Sequence, residues 1–297
     1  MEITTRQSRF NRSNPPAAFQ LSNRDVRIFI ALHNHRYLRS TYLFALIGGE
    51  WTHFQRRLRL LYRAKYLSRS PEQQLYANVL NRPVVYELDH KGEEVLKSMG
   101  LWTHDLKKQK SDPHHEFLHD LGLNDASCSI ELGAMSRGFT IRHTQHVIAR
   151  SSLDGPHFPL PEKRRYVPDW LFGVQSDAGV VLYMLEFDRS TMPLSERKDG
   201  GSSYARKFKE LDYLIAGHGA YKQYFPAPIP LLSLHLFISH ERMMNAMKIA
   251  GPTRYNLFKA VPALGSVLEP PSRPIPSLFT EPWKREGHPD FRMDKPA

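Results

Sequence analysis

Residues 164–191 read RRYVPDWLFGVQSDAGVVLYMLEFDRST. Two apolar runs rich in β-branched and aromatic residues, Tyr166–Gln175 and Val180–Phe187, flank Ser176-Asp177-Ala178-Gly179, which carries the polar and glycine chemistry of a tight turn. So short a connection makes the strands antiparallel. A turn centred between Asp177 and Ala178 sets Val174 against Val181, Phe172 against Tyr183 and Asp169 against Glu186, unless a bulge shifts the register. Side chains alternate along a strand, so Glu186 and Asp188 share a face and Asp169 joins them. An unpaired carboxylate inside an apolar strand pair is costly, and a hard divalent cation removes that cost. Carboxylate oxygens with water in the remaining positions suit Mg²⁺ (or Mn²⁺) and phosphoryl chemistry. Asp169, Glu186 and Asp188 are therefore the candidate metal ligands.

The spacing resembles the PD-(D/E)XK nuclease superfamily, whose signature falls on Pro168-Asp169 and on Glu186-Phe187-Asp188. Asp188 stands where that signature has its lysine. Lys207, on an amphipathic helix expected over 203–216 (SYARKFKELDYLIA) with Phe208, Leu211 and Ile215 on one side, is the residue that could reach back in its place. The segments VPDWLF, LEFDRST and YARKFKELDYL also resemble the replication-relaxation family of plasmids, phages and integrative elements, a likeness that extends to the N-terminal third. The resemblance implies a winged-helix DNA-binding domain followed by a nuclease-like domain. The catalytic set it implies is Asp169, Glu186, Asp188 and Lys207, with Glu116 and His119 on the opening helix of that second domain as further candidates.

Composition agrees with a nucleic-acid partner. Lys+Arg of 41 against Asp+Glu of 30 gives a net charge of +11 and a pI near 9.7, a field that attracts polyanions, and double-stranded DNA is the expected partner. A 41% hydrophobic fraction over 297 residues is enough for folded cores. No run approaches the roughly 18 apolar residues of a membrane span, and Arg6, Arg9 and Arg12 precede no apolar stretch of a signal peptide, so no membrane association and a cytoplasmic location are expected. The single cysteine, Cys128, excludes an internal disulfide.

The expected class is α/β (α+β): an N-terminal winged helix-turn-helix, then a mixed sheet flanked by helices. Residues 1–20 are read as a flexible N-terminal arm, 21–101 as the winged-helix domain, 102–113 as a lysine-rich linker, 114–255 as the nuclease-like domain and 256–297 as an extended tail. The tail assignment rests on eight of the 22 prolines lying beyond Val261, and such a tail could drape over a second subunit, making a homodimer possible.

Within the first domain, Ser22 or Asn23 caps a helix carrying Val26, Ile28, Phe29 and Leu32, and a second helix ends at Gly48-Gly49. A third, WTHFQRRLRLLYRAK over 51–65, puts Phe54, Leu58, Leu61 and Tyr62 on one face and Thr52, Arg56, Arg59 and Arg63 on the other. Residues 51–70 hold six basic and no acidic residues, a one-sided field. With a wing from residues 66–69 and 83–88, the DNA-binding candidates are Thr52, Gln55, Arg56, Arg57, Arg59, Arg63, Arg69 and Arg82.

His115-Glu116-Phe117-Leu118-His119 fits the H-E-x-x-H zinc-peptidase pattern, with Gly122 and Asp125 extending it. A basic winged helix and a linker upstream are the wrong context for such a peptidase. Further on, residues 138–150 are expected to form a strand, 231–239 a buried strand and 241–249 a helix with Met243, Met244 and Met247. Two functions compete: a Mg²⁺-dependent deoxyribonuclease or nicking enzyme of a mobile element, and a non-catalytic DNA-binding regulator or replication/relaxation accessory.

Overall fold

The computed structural model describes residues 10, 12, 20–75, 82–102, 113–196, 201–266 and 271–295. The chain divides into two compact units, Met1–Asn124 and Asp125–Ala297.

In the first unit, α1 (Asn23–His35) starts where Asp25 Oδ2 accepts both the Ser22 N–H (2.7 Å) and its hydroxyl (2.8 Å), and it buries Ile28, Phe29 and Leu32. The break expected after it holds a short strand, β1 (Leu38–Arg39), that was not foreseen. Next come α2 (Ser40–Ile47), ended by Gly48 at φ 78°, and α3 (Trp51–Arg63). Glu50 caps α3 by accepting the Thr52 and His53 N–H groups, a favourable charge for a helix N-terminus. Phe54, Leu58, Leu61 and Tyr62 are its buried face, as the spacing requires. The strands β2 (Leu67–Ser68) and β3 (Val85–Leu88) complete a three-stranded sheet in the order β1-β3-β2, antiparallel throughout. The Gln73 side chain joins this sheet like a strand residue: it accepts from Val85 N and donates to Val85 O. Helix α4 (His90–Ser98) follows. The first unit is thus built, among its described residues, of helices followed by a small antiparallel sheet and a closing helix.

Of the arm expected to be flexible, Phe10 and Arg12 are described, and both are docked. Phe10 O accepts the Tyr62 hydroxyl, while Arg12 pairs with Asp89 at 2.5 Å. The linker assigned to 102–113 lies outside the described residues apart from Trp102 and Pro113. From there α5 (Pro113–Met135) runs unbroken, its early turns packing Phe117 and Leu121 with Tyr37 and Val85.

The second unit is a seven-stranded mixed sheet. Its members are β4 (Thr140–Arg142), β7 (Trp170–Ser176), β8 (Gly179–Asp188), β9 (Leu231–Phe237), β10 (Asn256–Ala260), β11 (Trp283–Arg285) and β12 (His288–Phe291), ordered β12-β11-β10-β9-β8-β7-β4. The short helix α6 (Thr144–Ile148) and a separate hairpin, β5 (Phe158–Pro159) with β6 (Arg165–Tyr166), lie between β4 and β7. The expected long strand over 138–150 is thus only three residues of β4 followed by α6. The Thr144 hydroxyl donates to the buried Leu171 O at 2.7 Å, turning the chain out of the ladder.

The β7–β8 hairpin has the register read from its turn: Val174 pairs Val181, Phe172 pairs Tyr183, and Gly179 (φ 130°) closes the loop where a side chain would be strained. Crossovers through α7 (Tyr204–Asp212), widened by a π-type turn over Tyr213–Gly217, and α8 (His240–Ala250) make β8, β9 and β10 parallel. Both helices cover one face of the sheet, where Leu171, Leu182, Met184, Phe208, Phe237, Met243, Met247 and Phe258 form the core.

The expected extended tail is not one. Residues 256–260 are an internal strand, α9 (Ser277–Thr280) follows, and β11 and β12 extend the sheet. The prolines sit where no ladder hydrogen bond is needed: Pro262 opens a 3₁₀ turn, Pro276 caps α9, Pro282 precedes β11 and Pro289 lies on the outermost strand. Phe279 and Trp283 are fully buried, and Gly133 of α5 approaches so closely that a Cβ there would meet Pro276 O at 2.5 Å.

Candidate functional site

Tyr166, Asp169, Glu186, Asp188, Lys207 and Arg242 carry the titratable chemistry of the second unit. Because Trp170 pairs Leu185 as the last rung of β7–β8, Asp169 stands at the strand mouth opposite Glu186, and its Oδ2 accepts the Phe187 N–H at 2.8 Å. Asp169 is exposed. Glu186 is fully buried, and both its oxygens are engaged: Oε1 by the Tyr166 hydroxyl at 2.5 Å and Oε2 by Lys207 Nζ at 2.5 Å. Lys207 therefore does reach back from α7, one turn after Ser203 Oγ caps the helix by accepting from Arg206 N.

Asp188 behaves differently. Its Oδ1 accepts the Ser190 N–H, and Oδ2 pairs with the Arg242 guanidinium, which also donates to Met192 O. Arg242 sits in the first turn of α8, capped by Ser239. Among the described residues, the ligand oxygens of Asp169, Glu186 and Asp188 do not gather within 4.8 Å of one another. The expected trio of metal ligands is thus split, because a cation of the chain itself has claimed Asp188.

Burial pushes Glu186 up to about 7; Lys207 opposes this, the Asp169 charge adds to it, and the hydrogen bonds from Lys207 and Tyr166 temper it. For Lys207 burial acts downward, but Glu186, Asp169 and Asp188 outweigh it and hold the ammonium above the usual lysine range. Lys207 consequently keeps its proton at neutral pH and can stabilise negative charge. Glu186, with a pKa near neutrality, is placed to exchange a proton.

Behind Glu186, β9 contributes His235 as its register partner, whose Nε2 lies 3.1 Å from both Ser233 Oγ and Asn256 Oδ1. Burial drives His235 down to about 3, so the ring is neutral. Tyr166, His235 and Arg242 escaped the sequence reading. The available signal was polar residues recurring at every second position, Ser233 and His235, inside an otherwise apolar strand.

Glu116 and His115 lie on α5, but their side chains are outside the described residues. His119 is half-buried on the same helix. α5 continues through Gly122 to Met135, whereas a third zinc ligand in the extended pattern needs the chain to turn back at that glycine. Asp125 is instead a buried helix residue. Among the described residues, the peptidase reading finds no third ligand at that position.

In the first unit, the polar face of α3 presents Thr52, Arg56 and Arg59 as exposed side chains, with Gln55 and Arg63 half-buried. Two of the expected contacts are structural. Arg57 forks onto the buried Asp25 at 2.8 and 2.6 Å and donates to Gln20 O. Arg69 is buried between the Tyr62 and Tyr86 rings, 4.0 and 5.1 Å from their centroids, and bonds the Tyr86 hydroxyl. Burial raises the cost of charging Asp25, but the Arg57 and Ser22 hydrogen bonds prevail and hold it below its ordinary 3.8. Arg82 is half-buried shortly before β3, and residues 76–81 beside it are outside the described set.

A model of the replication-relaxation family matches residues 29–226, more than half of the chain. The chain belongs to that family. Membership in the replication-relaxation family points to a role in the replication or relaxation of plasmids or other mobile elements and implies interaction with DNA. No curated protein and no solved structure matches the chain significantly. No helix among the described residues is long and apolar enough to cross a membrane.

Proposed function

We propose that this replication-relaxation protein binds duplex DNA through α3 and cleaves or nicks it at the centre formed by Asp169, Glu186 and Lys207. The observation that carries this reading is the lysine ammonium held on a buried carboxylate beside a second, exposed carboxylate. An acid near neutrality, a fixed cation and an exposed acid are the parts that phosphodiester hydrolysis uses.

The donor chemistry suits a hard divalent cation at two of the three expected ligands. Asp169 and Glu186 are oxygen donors, and Glu186 holds its proton too tightly for a carboxylate whose charge is fully compensated. Mg²⁺ or Mn²⁺ bound there would supply Lewis-acid charge at a phosphate. Asp188, already neutralised by Arg242, stays outside that set and holds the start of the loop after β8 in place. Lys207 stabilises the phosphate's developing charge, and Tyr166 orients Glu186.

A second reading is favoured by the saturation of Glu186: with both oxygens engaged, the second unit could serve as a non-catalytic accessory whose function is DNA binding. Incubating the pure protein with supercoiled plasmid in Mg²⁺, Mn²⁺ or EDTA separates the two. The cleavage reading expects metal-dependent nicking that Glu186→Gln and Lys207→Ala abolish with DNA binding intact, and a Tm that rises with the metal. A plasmid left uncut under each metal, with a Tm indifferent to all of them, establishes the accessory reading instead.

A further inference from the structure

The β5–β6 hairpin supplies Tyr166 to the reading above, and it is fastened to that centre at two points. Tyr166 of β6 donates to Glu186, and Arg164 at the hairpin's turn pairs at 2.9 Å with Glu210, one helical turn beyond Lys207 on α7. Phe158, Leu160 and Tyr166 are buried beneath it, and Leu160 N–H donates to Arg164 O across the loop. The hairpin is therefore tied down both at its turn and along its second strand.

Its exposed surface carries more cations than anions: Glu162 is exposed too, but it lies 3.7 Å from Arg164. Lys163 and Arg165 are exposed, and neither side chain has an ion pair or hydrogen bond among the described residues. Arg164 between them pairs with Glu210 and Glu162, so the two outer cations are left for something else. The turn itself is unusual: Glu162 and Lys163 both lie at φ 59°, with Arg164 N–H donating to Pro161 O. A primed turn of this kind ordinarily takes Asn-Gly, so the chain accepts backbone strain at the position that displays Lys163. Arg165 is four residues from Asp169, a separation of at most about 14 Å in extended chain, or about four nucleotides of one DNA strand.

We propose that this hairpin is a phosphate-backbone clamp: Lys163 and Arg165 grip duplex DNA a few nucleotides from Asp169. The proposal rests on the reading that the Asp169–Glu186–Lys207 centre works on DNA. The chemistry it recognises is the regularly spaced phosphodiester anion, without base contacts, and it sets where along the strand the backbone meets the centre.

The test measures binding without requiring cleavage. Full-length protein carrying Arg56→Ala and Arg59→Ala, to weaken the α3 contact, is titrated onto a short duplex in EDTA over a range of salt concentrations. Adding Lys163→Ala and Arg165→Ala should lower the slope of log affinity against log salt by about two units and weaken binding several-fold at low salt. Lys163→Arg with Arg165→Lys should retain the slope, and Lys222→Ala, at an equally exposed lysine, should leave it unchanged. A slope unaltered by the double alanine variant, or lowered as much by Lys222→Ala, overturns the clamp. Plasmid nicking by otherwise wild-type protein is scored separately. A reduced slope without nicking keeps the clamp and removes the cleavage reading, while nicking with an unaltered slope does the reverse.

Discussion

The two units treat charge in opposite ways. On α3, Arg56 and Arg59 stand in solvent without partners among the described residues, so holding them costs the fold little. On β8 every charge is bought back inside the protein: Glu186 by Lys207 and Tyr166, Asp188 by Arg242. A surface kept for a polyanion must leave its cations uncompensated, whereas a centre that does chemistry must hold its charges where water cannot weaken them. The boundary is not drawn by unit, however, because Arg57 and Arg69 of the first unit are structural cations, and Lys163 and Arg165 of the second are open ones.

The largest expected effect comes from breaking an internal pair. Arg242→Ala leaves the Asp188 carboxylate, 2% exposed, without its cation and should cost about 3–5 kcal/mol in urea unfolding of the second unit. A loss under about 1 kcal/mol would mean that Asp188 is solvated and available to metal after all. Arg57→Ala should destabilise the first unit by about 3 kcal/mol for the same reason, Asp25 being wholly buried. Because the folded pKa of Asp25 is depressed, the stabilisation is present above its ordinary 3.8 and disappears as pH falls through the lower folded value. An Arg57→Ala variant should therefore lose less stability than the wild type on acidification.

Glu186 gives the opposite sign. Its folded pKa is raised, so its contribution is fully present below 4.5 and is lost as pH rises through about 7. Thermal melts between pH 5 and pH 8 should show the wild type losing stability across this window, and Glu186→Gln should flatten the profile. An equally steep profile in the variant would assign the pH dependence to another group. Smallest in stability is the α3 pair. Arg56→Ala and Arg59→Ala should each change folding by less than about 0.5 kcal/mol while lowering the salt slope of DNA binding by about one unit per lost phosphate contact. A change in Tm without a change in slope would make these arginines structural too.

Local patterns were legible in the sequence, and partners were not. The register of β7–β8 follows from Ser176-Asp177-Ala178-Gly179, and the buried face of α3 follows from the spacing of Phe54, Leu58, Leu61 and Tyr62, because turn chemistry and helical period act over a few residues. Arg57 and Arg59 look alike in the sequence. Only the fold brings Asp25, 32 positions away, to one of them. Likewise, nothing local joins Asp188 to Arg242 across 54 positions. The β5–β6 hairpin was missed because Glu162-Lys163 lacks the usual residues of its turn, and the tail was misread because proline frequency says nothing about whether each proline falls at a strand end or within a ladder.

The arrangement of the sheet also bears on how the protein behaves when crowded. Strands as apolar as Leu182–Leu185 would invite a neighbouring molecule to add its own strand wherever backbone groups lay open. Among the described residues, one flank ends in the three residues of β4, where Arg142 is held by Gln175, and the other in β12, where Pro289 offers no N–H. Pro289, one of the prolines that make the C-terminal stretch look unstructured, thus helps to end the sheet and to guard its apolar centre against aggregation.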